Sequence, residues 1–224
     1  MAKTLQSSVA LATAQDSFAT LKRYVVDYVQ GGDDPELLDI AGRAINRAID
    51  RINAKTWIKL LARQTFTTTL NTAEYALNKD FKDPINLSLL NSGQYPAKRM
   101  PYVDYKSFEM EYPNAESPGY PTRYSIYYHT RTLVLSLDPA QPFVDAYPYM
   151  ALLYHKRIPY LAKDSDRQET TPEFNGFIGW YARSDLAATR GERGLANDAR
   201  GEAGSIWRDL RESDNTTDTD WSES

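Results

Sequence analysis

The chain contains no cysteine and only two histidines among 224 residues. Disulfides and thiolate metal sites are therefore excluded, and so is any cysteine nucleophile. A reducing compartment or a virion suits such a chain; a small disulfide-stapled secreted scaffold does not. Basic charge is also short: 26 Lys and Arg stand against 30 Asp and Glu, a net charge of −4. A protein that grips nucleic acid by neutralising phosphates needs a basic footprint, which this balance does not supply. An acidic wall would instead let DNA slide past. No apolar run approaches the roughly 18 residues of a membrane span, and the opening MAKTLQSSVALATAQDS is too polar for a secretion signal.

The two histidines give little chemistry. His129 falls at an expected turn and His155 follows Tyr154 in an apolar run. Neither is accompanied by a nucleophile-elbow sequence, which a Ser-His-Asp site would need. Asp164-Ser165-Asp166 offers hard oxygen ligands, but no glycine or glutamate follows at calcium-loop offsets. A solvated loop before a capped helix explains it better. Asp33-Asp34 reads as helix capping. Gly191 to Gly194 lacks the Gly-Lys-Ser/Thr ending of a phosphate loop, and there is no dinucleotide fingerprint. The reading is of a protein that is not an enzyme and takes no cofactor and no metal.

What is present is pattern. Phe18, Leu21, Val25, Tyr28 and Val29 repeat at helical spacing from Asp16 to Val29, with Gly31-Gly32 as a stop. Asp34-Pro35-Glu36 opens a second helix that should reach about Trp57. Its stripe is Leu37, Ile40, Ala41, Ala44, Ile45, Ala48, Ile49 and Ile52. The period then changes. Gln64 to Leu70, Glu74 to Leu77 and Ile85 to Leu90 favour strands, while prolines from Pro84 to Pro121 break the region up. A short helix is expected around Phe108 and Met110, and a loop from Glu116 to Pro121. Tyr124, Ile126 and Tyr128 face Leu133, Leu135 and Leu137 across a turn at His129-Thr130, an antiparallel hairpin. Tyr147 to Ile158 reads as a strand or a buried helix. Its place after a hairpin favours the strand, and Met-Ala-Leu-Leu the helix.

Thr171-Pro172-Glu173 opens a further helix to about Thr189, burying Phe174, Phe177, Ile178, Tyr181 and Leu186. Gly191 and Gly194 interrupt. A last helix spans Asn197 to Arg211, with Ala199, Ala203, Ile206, Trp207 and Leu210 on one stripe and Gly201 and Gly204 weakening it. Arg183, Arg190, Arg193, Arg200, Arg208 and Arg211 give these helices a basic character, read either as a salt-bridged solvated surface or as a polar interface. The ending SDNTTDTDWSES is acidic and should be disordered alone. Its Trp221 has no core to join and is either a bare tail aromatic or an anchor that orders on docking. Sixteen tyrosines, clustered between Tyr95 and Tyr160, suit either a tyrosine-rich β core or a half-wet interface.

The fold class is therefore α+β: a helical bundle from the N- and C-terminal segments with an inserted β-rich lobe. The expected division is 1–57 and 172–213 for the helical core, 58–171 for the β-rich insertion, and 214–224 for a flexible acidic tail.

This order of elements resembles the head-to-tail adaptor (connector) proteins of tailed double-stranded DNA phages. The resemblance rests on Ala44-Ile45-Asn46-Arg47-Ala48-Ile49 leading to Trp57, and on the Phe66 to Leu70 strand followed by Glu74-Tyr75-Ala76-Leu77 and Asp80-Phe81. It rests also on the hairpin ending Leu133 to Pro139, and on Tyr154, Pro159-Tyr160-Leu161, Asp164-Ser165-Asp166 and Pro172 before a long helix. Leu77-Asn78 stands where the family carries Leu-Pro.

The resemblance implies a homo-oligomeric ring, commonly a dodecamer, beneath the portal protein in the virion neck, made in the host cytoplasm. The helical core would line a channel through which double-stranded DNA passes without sequence-specific binding. The β-rich lobe would face outward or meet tail or nozzle proteins, and the C-terminal segment would dock on the portal. Trp207, Leu210, Arg211 and Trp221 are then the candidate partner-binding residues. No cofactor and no membrane are implied. The nearest alternatives are a stopper, tail-tube or tail-completion protein. A soluble enzyme using His155 or Asp164 is the alternative from another class.

Overall fold

A computed structural model describes residues 16–113, 117–167 and 170–218. The described chain forms two compact units: the segments up to Thr56 and from Ile158 onward make one, and Trp57–Arg157 the other. The fold is α+β, helical at both ends with a β-rich centre.

In the helical unit, α1 (Phe18–Tyr28) is capped by Ser17, whose Oγ accepts the Thr20 N–H at 3.3 Å. The chain reverses through Gln30 and Gly32, both at positive φ. α2 (Pro35–Asn53) begins as expected: Asp34 caps, accepting the Glu36 N–H at 2.9 Å, with Pro35 in the first position. Its stripe of Ala41, Ala44, Ile45, Ala48, Ile49 and Ile52 is buried. The helix stops before Trp57, which is extended and buried at the start of the β-rich unit.

α5 (Pro172–Thr189) is the centre of this unit, packing against α1, α2 and α6 (Arg193–Asp218). It is apolar on most sides, as a surrounded helix must be. Phe174, Phe177, Ile178, Ala182, Leu186 and Ala187 are all buried. Gly191, at φ +77°, turns the chain between α5 and α6. α6 buries Ala196, Ala199, Ala203 and Leu210.

α6 is longer than the periodicity predicts and includes residues 213–218 of the supposed disordered tail. Once a helix is packed, each further residue adds a hydrogen bond without a new nucleation cost. Gly201 and Gly204 do not end it.

Residues 158–167, grouped by sequence with the β-rich lobe, belong to the helical unit and bond to its helices. Asn53 Nδ2 donates to the Ile158 carbonyl oxygen and Asn53 Oδ1 accepts the Ile158 N–H, both at 2.9 Å. Asn46 does the same with Leu161, at 2.9 and 3.1 Å. Two turns of helix and three residues of extended chain both span roughly 10 Å. Two asparagine amides on α2 therefore act like strand peptides towards one extended segment.

The β-rich unit holds three sheets. β1 (Leu61–Thr67), β3 (Phe81–Leu90), β4 (Pro96–Met100) and β9 (Tyr149–Lys156) form a four-stranded antiparallel sheet in the order β1-β9-β3-β4. β2 (Glu74–Ala76), β6 (Tyr124–Tyr127) and β7 (Thr132–Leu135) form a second, ordered β2-β7-β6. β5 (Pro118–Gly119) and β8 (Asp138–Pro139) make a short parallel pair. Helices α3 (Tyr105–Glu111) and α4 (Gln141–Ala146) complete the unit.

The hairpin stands with Ile126 opposite Leu133 and Tyr124 opposite Leu135. Its connection is four residues, 128–131, with Arg131 at φ 55°. The Tyr147 to Ile158 alternative resolves as a strand, with both neighbours in place. Pro84, read as a breaker, lies inside β3 at a register irregularity, where a missing N–H is tolerated. β4 and α4 had no sequence signal. The core joins both larger sheets through Phe66, Leu87, Leu89, Tyr124, Ile126, Leu133, Met150, Leu152 and Tyr154.

Candidate partner-docking surface

The residues that could carry chemistry are occupied with structure. Asp164 pairs with Lys22 at 2.6 Å. Asp166 accepts the N–H groups of Ala162 and Lys163 at 2.8 Å each, and these bonds hold its carboxyl below the usual range. The backbone carbonyls of Asp166 and Asp164 accept the N–H groups of Phe18 and Ala19 at 2.8 and 3.2 Å. The DxD loop thus satisfies donors at the start of α1.

His155 Nδ1 lies 3.0 Å from the Trp57 carbonyl oxygen. His129 stacks on Tyr127. Asp33 pairs with Arg23 at 3.5 Å. Among the described residues no group of three or more His, Cys, Asp or Glu side chains could hold a metal ion, and no helix is long and apolar enough to cross a membrane.

α6 presents a different kind of surface. Gly204, Trp207, Arg208, Arg211 and Glu212 recur at three- and four-residue spacing, so they share one helix face. They line an open hollow of ≈ 430 Å³. Trp207 forms its wall. Its ring lies 4.6 Å from that of Phe177, and the Arg51 guanidinium stands 5.8 Å over it and 5.9 Å from Tyr181. Trp207 is half-buried, while Arg208 and Arg211 are exposed.

Leu210 is 1% exposed and packs α6 into its unit. The sequence candidates Trp207 and Arg211 therefore share the hollow, Leu210 lies in the core, and Trp221 lies outside the described residues. Gly204 and Arg208 were legible in the helical periodicity. Arg51, Phe177 and Tyr181 come from other helices and carried no such signal.

Asp185 on α5 forms an ion pair with Arg47 of α2. Among the described residues only Arg190, of the six arginines named above, has one, with Glu192 at 3.0 Å. Arg190 also donates to the Val29 carbonyl oxygen at 2.8 Å. Arg183 is buried between the rings of Trp180 and Tyr28, at 4.7 and 5.5 Å from their centroids. Exposed Arg208 and Arg211 beside a half-buried tryptophan suit docking, since Trp and Arg are favoured interface anchors.

The chain thus has a helical unit, an inserted β-rich unit, and a hollow lined by Trp207 and two arginines on its last helix. The chain belongs to the SU10 adaptor protein family, whose model matches residues 16–218. No curated protein matches the chain. The family makes this chain a structural adaptor of a bacteriophage and a component of the virion, where it interacts with other virion proteins.

Proposed function

We propose that the chain is the head-to-tail adaptor of the virion neck: a ring, with twelve copies as the expected number, that docks on the portal, extends the DNA channel and offers the tail a new surface. The family match over 16–218 carries this reading. The α6 hollow supports it in detail. Trp207 supplies half-buried aromatic area and Arg211 an exposed cation, the pairing that anchors interfaces. Trp221, beyond the described residues, joins the same docking segment in this proposal. The helical unit lines the channel, and the net charge of −4 leaves DNA free to slide. A closed ring also needs two different faces on each subunit. The β-rich unit meets tail or nozzle proteins.

The test is cosedimentation of the purified chain with purified portal rings, followed by cryo-electron microscopy of the virion neck. The expected result is retention on the portal and density for the chain directly beneath it. Trp207→Ala, Arg211→Ala and deletion of residues 215–224 should each reduce retention. Density in the tail tube or at a tail-closing position, with no retention by the portal, would replace the adaptor reading by a stopper or tail-completion role.

A further inference from the structure

The β-rich unit carries an aromatic corner outside its core. Tyr105 on α3 meets Tyr127 edge-on, with ring centroids 4.8 Å apart. His129, in the β6–β7 connection, stacks on Tyr127 at 6.1 Å with planes 18° apart, and lies 6.4 Å from Tyr105. All three ring centroids therefore lie within 6.4 Å of one another. The corner is not closed over: Tyr105 remains 44% exposed and His129 is exposed.

Glu109 lies one turn after Tyr105 on α3 and accepts the Tyr127 hydroxyl. One carboxylate can accept several hydrogen bonds, so Glu109 keeps capacity for another donor. The electrostatics have one sign. Burial, the bond to Glu109, and the charges of Glu109 and Glu74 all push the Tyr127 phenol up. Of the cations in the same segments, Arg131 donates to the Lys79 carbonyl oxygen at 3.3 Å, and Lys106 sits in the first turn of α3.

Aromatic faces with a carboxylate at their rim attract a cation. The planar guanidinium suits the corner better than an ammonium. It can stack on a ring and present its fork of N–H groups to Glu109 together. The chain belongs to an adaptor family, which implies contact with other virion components, so the donor is placed on a different protein.

We propose that Tyr105, Tyr127, His129 and Glu109 bind an arginine side chain on a basic segment of a different virion protein. This rests on the chain's being a virion assembly component, and it places a second docking site on the β-rich unit, separate from the α6 hollow.

The experiment uses the full chain and a fluorescein-labelled peptide carrying two arginines spaced by glycine, read by fluorescence anisotropy. Tyr105→Ala and Glu109→Gln should each weaken binding roughly tenfold, and the lysine version of the peptide should bind several-fold more weakly than the arginine version. Tyr105→Phe keeps the ring and should keep the affinity, which separates recognition from folding damage. Arg211→Ala should leave peptide binding unchanged, and Tyr105→Ala should leave portal retention unchanged, so the two docking proposals fail independently. Equal peptide binding by wild type and Tyr105→Ala would overturn the inference, as would equal binding of the lysine and arginine peptides. Sedimentation covers the remaining occupant: self-association abolished by Tyr105→Ala would assign the corner to a second copy and overturn the choice of a different protein.

Discussion

The guanidinium of Arg183 sits on α5 with no carboxylate partner among the described residues. It rests between the Trp180 and Tyr28 rings, and Nε donates to the Tyr24 carbonyl oxygen at 3.4 Å. Burial lowers its pKa, while Tyr28 and Asp27 act in the opposite direction. The side chain therefore works as a flat, cationic spacer between α1 and α5 more than as an ion-pair member. Arg183→Ala removes the stacking and the Nε donor to the Tyr24 carbonyl oxygen, a loss expected at about 2 kcal/mol. Arg183→Met keeps most of the volume without burying a charge and should cost less than half of that. Urea denaturation followed by tryptophan fluorescence distinguishes the two. None of this was legible in the sequence, where Arg183 read as one of a row of surface arginines. Its neighbours Tyr28 and Trp180 come from different helices. The tyrosines divide for the same reason: Tyr124 and Tyr154 are 1% exposed, while Tyr105 and Tyr128 are 44% and 49% exposed, and composition alone could not sort them.

At the scale of the element, α2 was the most legible part, because its cap and its stripe lie within the helix itself. β9 was the least. Met150, Ala151 and Leu152 are consecutive and all buried, so the strand lacks the alternation that marks a half-exposed one. Only its place between β1 and β3 settles it. α6 was underestimated because Gly201 and Gly204 weigh against a helix in isolation. A Cβ at either position meets nothing within 4 Å, so alanine fits without strain. Gly201→Ala and Gly204→Ala should each raise stability by about 1 kcal/mol, measured as a shift in the denaturation midpoint. The two should differ in docking. Gly204 lines the α6 hollow and Gly201 does not. If the hollow receives the portal, Gly204→Ala should reduce retention while Gly201→Ala leaves it unchanged.

For the whole molecule, the chain leaves the helical unit after Thr56 and returns at Ile158. The two ends of that excursion are close, because Asn53 on α2 holds the backbone of Ile158 through two hydrogen bonds of 2.9 Å. Replacing residues 57–157 by a short Gly-Ser linker should therefore leave the helical unit folded, with the circular dichroism of a helical protein and cooperative melting. A shortened chain that melts without a transition would show that the helical unit depends on the β-rich one. The shortened chain should also lose the arginine peptide and keep the portal, since the proposed corner and hollow fall on different units.

The sequence by itself determined that the chain is helical at both ends and β-rich between them. It also determined where α1, α2 and α5 begin and that no familiar catalytic pattern is present. Caps, helical stripes and missing cysteines act over a few residues and need no fold to be read. The tertiary structure decided the rest. It inserted β9 between β1 and β3, set Asn46 and Asn53 against an extended segment, and brought Phe177 and Arg51 to Trp207. It also left the Tyr105 corner open to solvent. Each of these depends on side chains far apart in the chain, which meet only when the core has already chosen which faces to bury.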